Sequence, residues 1–325
     1  MENKVLVEIK GLKKYYPVGN AGFGKAQKQL KAVDGVDLQI RAGETLGLVG
    51  ESGCGKSTLG KTVLKLHSVT DGSILYDGHP IEKLNVTEMR PYRKKMQMIF
   101  QDPYAALNPR MTILDAVKAP MTIQGGYSKE EKEEKALAIL KYVGVNDLQL
   151  MKYPHELSGG QRQRVVIARA MVTEPDFVVC DEPVSALDVS VRAQVLNLMR
   201  KVQRERGVSY LFISHDLSVV KYLCENVAVM YLGKVVEKAS KEELFAHPLH
   251  PYTQALMSAI PIPDIHADRK RIILEGDIPS PVNPPSGCPF HTRCPYCCEQ
   301  CTKEVPALTD MGNGHTVACH FAGKF

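Results

Sequence analysis

The sequence predicts an α/β domain built on a largely parallel sheet, followed by a small cysteine-rich tail. Three observations predict it. Short apolar runs alternate with longer helical patterns through the first ~240 residues. A glycine-rich loop lies between one such run and a helical stretch. Six of the nine cysteines fall in the last 38 of the 325 residues, behind a proline-rich segment. Composition narrows the class further. The chain is 44% apolar and 24% charged, as soluble globular proteins are. Its net charge of +5 is too mild to argue for nucleic-acid binding, so no nucleic-acid partner is expected. No apolar run approaches the ~18–20 residues of a membrane span. The opening MENKVLVEIK lacks the apolar core of a secretory signal, so neither secretion nor membrane spanning is expected.

Each element follows from local pattern. Residues 5–9, 36–40 and 45–49 are short apolar runs and read as strands. Between Tyr16 and Lys31 the chain carries Gly and Lys, including Lys25, Lys28 and Lys31, with no acidic residue, and reads as a solvated loop. A helix is expected from Lys56 to about Leu66. Residues 74–76 read as a strand entering a tight turn at Asp77-Gly78. Residues 96–100 form another strand. Ser128 with Glu131 three residues on is a capping box that opens a helix over 128–143. Helices over 159–171 and 189–204 alternate with strands over 177–180, 210–213 and 227–230. Pro279, Pro281, Pro284, Pro285 and Pro289 exclude regular helix and read as an extended connector. The chain therefore divides into a main domain over 1–240, a helical and proline-rich connector over 241–285 and a cysteine-rich tail over 286–325.

Residues 50–58 read Gly-Glu-Ser-Gly-Cys-Gly-Lys-Ser-Thr, matching G-x-x-x-x-G-K-[ST] between a strand and a helix. Gly50, Gly53 and Gly55 let the backbone turn its N–H groups toward phosphate oxygens, and the following helix adds its positive end. Ser52, Cys54 and Thr58 complete the candidate ATP cradle. Lys56 supplies charge for the β- and γ-phosphates, and Ser57 a hydroxyl for Mg²⁺. Cys54 beside Lys56 at a helix N-terminus is expected to favour its thiolate. The apolar run 177–180 ends in Asp181-Glu182. Asp181 at the carboxyl end of a buried strand suits Mg²⁺, and Glu182 suits a general base for the attacking water.

Leu157-Ser158-Gly159-Gly160-Gln161, opening a helix with Arg162, Arg164 and Arg169, resembles the signature of the ATP-binding-cassette (ABC) ATPases. The resemblance implies an ABC-type cassette with a mostly parallel core sheet, an antiparallel β subdomain and a helical subdomain at about 102–173. It implies that Ser158, Gly159, Gly160 and Gln161 close over ATP held by a partner's phosphate loop. Gln101 resembles the glutamine that senses Mg²⁺ and the membrane partner. Residues 185–188 resemble the segment crossing the dimer seam, which ends in Asp188. His215 resembles the histidine that contacts the γ-phosphate. Tyr16 is the candidate for stacking on adenine, with Tyr15 as the neighbouring register. Residues 101–110 (QDPYAALNPR) and 247–253 (HPLHPYT) resemble the peptide and nickel importer subfamily. Over nearly the whole chain the likeness is to the F-type ATPase subunit of dipeptide and oligopeptide permeases. That resemblance implies pairing with a D-type ATPase subunit, two membrane permease subunits, an extracytoplasmic substrate-binding protein, and a peripheral place on the cytoplasmic face of the membrane.

Cys288, Cys294, Cys301 and Cys319 are spaced C-x5-C-x6-C-x17-C and resemble the tail of the same subunits, where four thiolates hold a [4Fe–4S] cluster. By chemistry alone, Cys297 and Cys298 also offer zinc-like C-x2-C pairs, so zinc stands as the alternative. Two rival functions are a soluble ABC ATPase of DNA repair and a scaffold of iron–sulfur assembly. The first lacks its long heptad arms here, since only about a hundred residues separate Lys56 from Ser158. The permease-like Gln101 region argues against the second.

Overall fold

The computed structural model describes residues 4–19, 27–260 and 271–324. In chain order the elements are β1 (Val5–Val18), β2 (Lys28–Arg41), β3 (Thr45–Val49), α1 (Lys56–Val63), β4 (Asp71–Tyr76) and β5 (His79–Pro80). Then come α2 (Arg90–Lys95), β6 (Met96–Ile99), α3 (Pro103–Ala106), α4 (Ile113–Gln124), α5 (Lys129–Tyr142), α6 (Gly159–Met171) and β7 (Phe177–Asp181). These are followed by α7 (Val189–Arg206), β8 (Ser209–Ile213), α8 (Leu217–Leu223), β9 (Asn226–Tyr231), β10 (Lys234–Ser240), α9 (Lys241–Ala246) and α10 (Pro251–Ser258). The tail adds α11 (Glu299–Lys303), β11 (Thr309–Asp310) and β12 (Thr316–Val317). The chain folds as two compact units that interleave in sequence.

The first unit takes residues 4, 40–44 and 83–212. Here β6 and β7 pair in parallel, with β8 beside β7. All five residues of β7 are buried, so its side chains are apolar up to Asp181. Helices α4, α5 and α6 pack on one another, and Val117, Met121, Ile139, Leu140, Val165 and Val166 lie in that core. The capping box at Ser128 is formed as expected and starts α5 at Lys129. Helix α4 was not anticipated, because Pro120 lies within it and breaks the helical pattern.

The second unit takes residues 5–39, 45–82 and 213–325. One sheet has the order β2-β1-β4-β5, and Asp77 (φ 50°) and Gly78 (φ 78°) make the two-residue turn between β4 and β5. The expected solvated loop is shorter than its sequence suggested. β1 runs on to Val18, and Lys28 and Lys31 belong to β2, while Lys25 lies outside the described residues. The other sheet runs β11-β12-β10-β9-β3. β3 and β9 are parallel; β10 returns antiparallel through Leu232 (φ 42°) and Gly233 (φ 78°). The expected connector and tail both lie in this unit. Between residues 271 and 290 the chain has no regular element, as its prolines require, and Lys31 N donates to Pro281 O at 3.1 Å. Tail strand β12 pairs with β10, Glu237 opposite Val317, so the tail extends the sheet that holds β3. Among the described residues no helix is long and apolar enough to cross a membrane.

Candidate functional site

In the second unit the fully buried β3 delivers the chain into the glycine loop. Two glycines there are steric necessities. A Cβ on Gly50 (φ 150°) would lie 2.2 Å from Met230 O, and one on Gly55 (φ 106°) 2.0 Å from Ala32 O. Gly53 (φ 79°) faces open space. No side chain caps α1, so its first N–H groups point into the loop with the positive end of the helix behind them. Lys56 is buried and folded back, its Nζ donating to Gly50 O at 2.7 Å and Glu51 O at 2.8 Å. Ser57 and Thr58 follow on the first turn, half-buried, while Ser52 is exposed.

Cys54 corrects one expectation. It lies beneath the loop, 5% exposed, with Lys56 Nζ 3.6 Å from its sulfur. Burial pushes its thiol up, and the nearby ammonium only partly opposes this. The thiolate is therefore disfavoured: desolvation outweighs the charge beside it.

Tyr15 and Tyr16 point to opposite faces of β1. Tyr15 donates its hydroxyl to Asp34. Tyr16 hydrogen-bonds the Thr58 side chain, lies under Lys14 Nζ at 4.7 Å, and meets His67 edge-on at 5.9 Å. Only Tyr16 thus shares a face with the phosphate-loop helix. Ser214 N donates to Leu48 O at 3.2 Å, which brings the exposed His215 to the end of β3 where the loop begins.

In the first unit, register does the equivalent work. Ile99 lies opposite Cys180 in the parallel pair, so the positions two residues on, Gln101 and Glu182, leave the sheet side by side. Gln101 Nε2 donates to Glu182 Oε2 at 3.0 Å. Asp181 is 3% exposed at the strand end. Glu182 has φ 46°, a left-handed conformation that carries strain in a residue other than glycine. Ser185 N and Oγ both donate to Glu182 O, at 3.3 and 3.0 Å, and hold that conformation. Ser158 caps α6 in a reciprocal box with Gln161, so the signature serine is at the helix N-terminus as expected. A Cβ on Gly160 would lie 2.3 Å from Val191 Cγ1: this glycine is there for close approach of α6 to α7. Arg162 and Arg164 brace α6 through Leu157 O at 3.0 Å and Val143 O at 2.7 Å, and Arg169 bonds Ala106 O. Asp188 is exposed at the start of α7.

The tail gathers the four cysteines the sequence singled out. Cys288, Cys294, Cys301 and Cys319 line one cavity with His250, Phe290 and Tyr296. Cys288 N donates to Cys301 O at 2.8 Å, and Gly287 (φ 66°) is required because a Cβ would lie 2.3 Å from that same oxygen. Burial pushes the Cys288 thiol up to about 12 and that of Cys294 up to about 11. Cys297 and Cys298 lie outside this lining, although Cys298 Sγ is 3.8 Å from Cys301 Sγ. Among the described residues no group of three or more His, Cys, Asp or Glu side chains closes to the geometry of a single bound metal ion.

The structure also reveals contacts of the phosphate loop that the sequence did not signal. Glu51 N donates to Tyr252 Oη at 2.8 Å, and Arg293, 242 positions away, grips the Glu51 carboxylate with both terminal nitrogens, at 2.6 and 3.1 Å. Tyr252 and Phe290 pack with Tyr231, ring centres 4.8 to 5.5 Å apart. No local pattern marks such a pairing between positions 242 residues apart.

Comparison with known proteins agrees with this architecture. Residues 33–185 match the family described as "ABC transporter", and residues 236–301 match "Oligopeptide/dipeptide transporter, C-terminal region". The chain is 48% identical over 320 residues to the oligopeptide transport ATP-binding protein AppF of Bacillus subtilis, covering 98% of this chain and 97% of that one. A putative peptide import ATP-binding protein of Brucella ovis is 51% identical over 319 residues, with 98% of each chain covered. Among solved structures, a dimeric post-hydrolysis state of the ATP-binding cassette MJ0796 with ADP and Pi superposes with a TM-score of 0.65 at 30% identity. It covers 72% of this chain and 98% of the other. These matches give no support to the rival roles in DNA repair and iron–sulfur assembly.

Proposed function

The chain belongs to the ABC transporter family and is an ATPase of that family; on that premise we propose that it powers a membrane importer of dipeptides or oligopeptides. The observation that carries the substrate class is the match of residues 236–301 to the C-terminal region of oligopeptide and dipeptide transporters. In this reading the chain works at the cytoplasmic face of the membrane. It pairs head to tail with a second, D-type ATPase subunit and drives two permease subunits fed by an extracytoplasmic binding protein.

The residues take the following roles. ATP stacks on Tyr16, and its phosphates lie on the N–H groups of residues 50–58. Lys56 leaves the Gly50 and Glu51 carbonyls to meet the β- and γ-phosphates. Ser57, Asp181 and Gln101 would hold Mg²⁺, which would neutralise phosphate charge. Glu182 takes a proton from water as the water oxygen bonds to the γ-phosphorus and the bridging oxygen departs with ADP. His215, Lys56 and the partner's Ser158, Gly159, Gly160 and Gln161 steady the charge that develops on the phosphoryl oxygens, and Asp188 lies at the seam. The Gln101–Glu182 hydrogen bond gives the coupling a physical route: displacement of the Gln101 loop by a permease subunit moves the general base directly.

The four cavity-lining cysteines suit a [4Fe–4S] cluster. The donors are soft sulfur ligands in a largely apolar wall, whose thiols, pushed up by burial, would give up their protons on binding. A four-iron cluster also holds its ligands farther apart than a single zinc ion does. When bound, such a group would crosslink a tail with little apolar surface of its own.

The test is ATP turnover by the chain co-purified with its permease subunits and D-type partner in lipid vesicles. Addition of peptide-loaded binding protein is expected to raise turnover several-fold over peptide-free binding protein. Equal turnover with and without peptide would overturn the assignment to peptide import.

A further inference from the structure

We propose that Arg293, in the cysteine tail, is a positioning residue of the nucleotide site that neutralises a carboxylate built into the phosphate loop. The inference rests on the ATPase reading of that loop and adds a part that no motif assigns. Glu51 directly follows Gly50 in the anion cradle and is held from three directions. Its N–H donates to Tyr252 Oη at 2.8 Å, its carbonyl accepts from Lys56 Nζ at 2.8 Å, and its carboxylate is gripped by Arg293 at 2.6 and 3.1 Å.

Charge explains why this third contact matters. A phosphate cradle gains affinity from N–H dipoles and Lys56, whereas a free carboxylate at its second position opposes an incoming triphosphate. The Arg293 side chain is 7% exposed and that of Glu51 27%, so water screens the pair poorly and a fork-on-carboxylate contact is strong. Geometry explains why the tail supplies the cation. Arg293 N donates to Phe290 O at 3.0 Å, and Phe290 is wedged against Tyr231 and Tyr252. The guanidinium is thus aimed by the turn between Cys288 and Cys294. When Lys56 leaves the Glu51 carbonyl for the phosphates, Tyr252 and Arg293 are the contacts that keep Glu51 turned away from the ligand. The tail then acts as part of the ATP site as well as an extension of the sheet.

Isothermal titration with MgADP on the full chain tests this. Arg293→Ala is expected to weaken binding on the order of tenfold. Glu51→Gln in that background should restore it to within about threefold of wild type, because the opposing charge is gone. A purely structural loss would not be rescued by a second substitution in the loop. Should Arg293→Ala fail to fold, Arg293→Gln keeps a planar polar group and is read in the same way, with thermal melting as the check on folding. Binding by the Arg293 variant within twofold of wild type would overturn the proposal, as would a weakened variant that Glu51→Gln leaves unrestored. A wild-type chain that binds no MgADP would instead overturn the reading of the loop itself.

Discussion

Glu182 combines a catalytic assignment with a costly backbone. Its φ of 46° carries strain of roughly 1–3 kcal/mol for a residue other than glycine, and Ser185 holds it through two hydrogen bonds to its carbonyl. The gain is direction: the carboxylate leaves the end of β7 beside Gln101. Glu182→Gln keeps the shape and removes the base, so turnover should fall at least ~100-fold with MgATP binding retained. Size-exclusion chromatography with MgATP should show the variant retained as a dimer with its ATPase partner. Turnover near the wild-type rate would remove Glu182 from this role. Cys54 shows the opposite balance. Its neighbours in sequence favour a thiolate, yet burial beneath the loop decides against it. The sequence marked both positions, but it misjudged the chemistry of Cys54. Neither that burial nor the backbone angle at Glu182 could be read from it, since both depend on what packs around them.

Among the elements, the β10–β12 pairing is held by a buried charge as well as by its ladder. Glu237 is fully buried and takes His315 Nε2 at 2.7 Å, with the Leu249 and His250 N–H groups at 2.6 and 3.0 Å. The hydrogen bond to Glu237 raises the His315 pKa against the lowering effect of burial, and Glu243 adds to the rise. The sign follows from linkage. Protonated His315 stabilises the fold fully below the unfolded value of about 6.5, and the contribution fades as pH climbs through the raised folded value. His315→Gln should therefore lower the melting temperature most at about pH 6 and progressively less toward about pH 9. A gap that is flat across that range would refute the linkage. Elsewhere, elements were readable where a short apolar run stood between turn residues, as in β3 and β7, or where a capping signature opened a helix, as in α6. Helix α4 escaped because an internal proline mimics a boundary. Strand β12 is two residues long and exists only because β10 offers it an edge.

The two compact units do not follow the order of the chain, and the cysteine skew takes its meaning from that. Four cysteines spread over residues 288–319 meet at one cavity that also takes His250 and Pro251 from α10 and the residue before it. Chain purified without oxygen is expected to carry iron and acid-labile sulfide in about equal amounts, with a brown colour that Cys301→Ser abolishes. Zinc without iron in the same preparation would favour the alternative metal. By itself the sequence determined the nucleotide chemistry, because a phosphate loop, an acidic strand end and a helix-capping signature are short motifs whose function lies in their backbone and spacing. For the tail, the family likeness named four of six cysteines, and it is the fold that brings those four to one cavity. Only the tertiary structure decided what those motifs touch. The Arg293–Glu51 pair and the Tyr231–Tyr252–Phe290 stack join positions far apart in the chain, and the tail's last strand completes a sheet begun near the start. Contacts of that range arise from how apolar faces are buried together, and no local pattern encodes them.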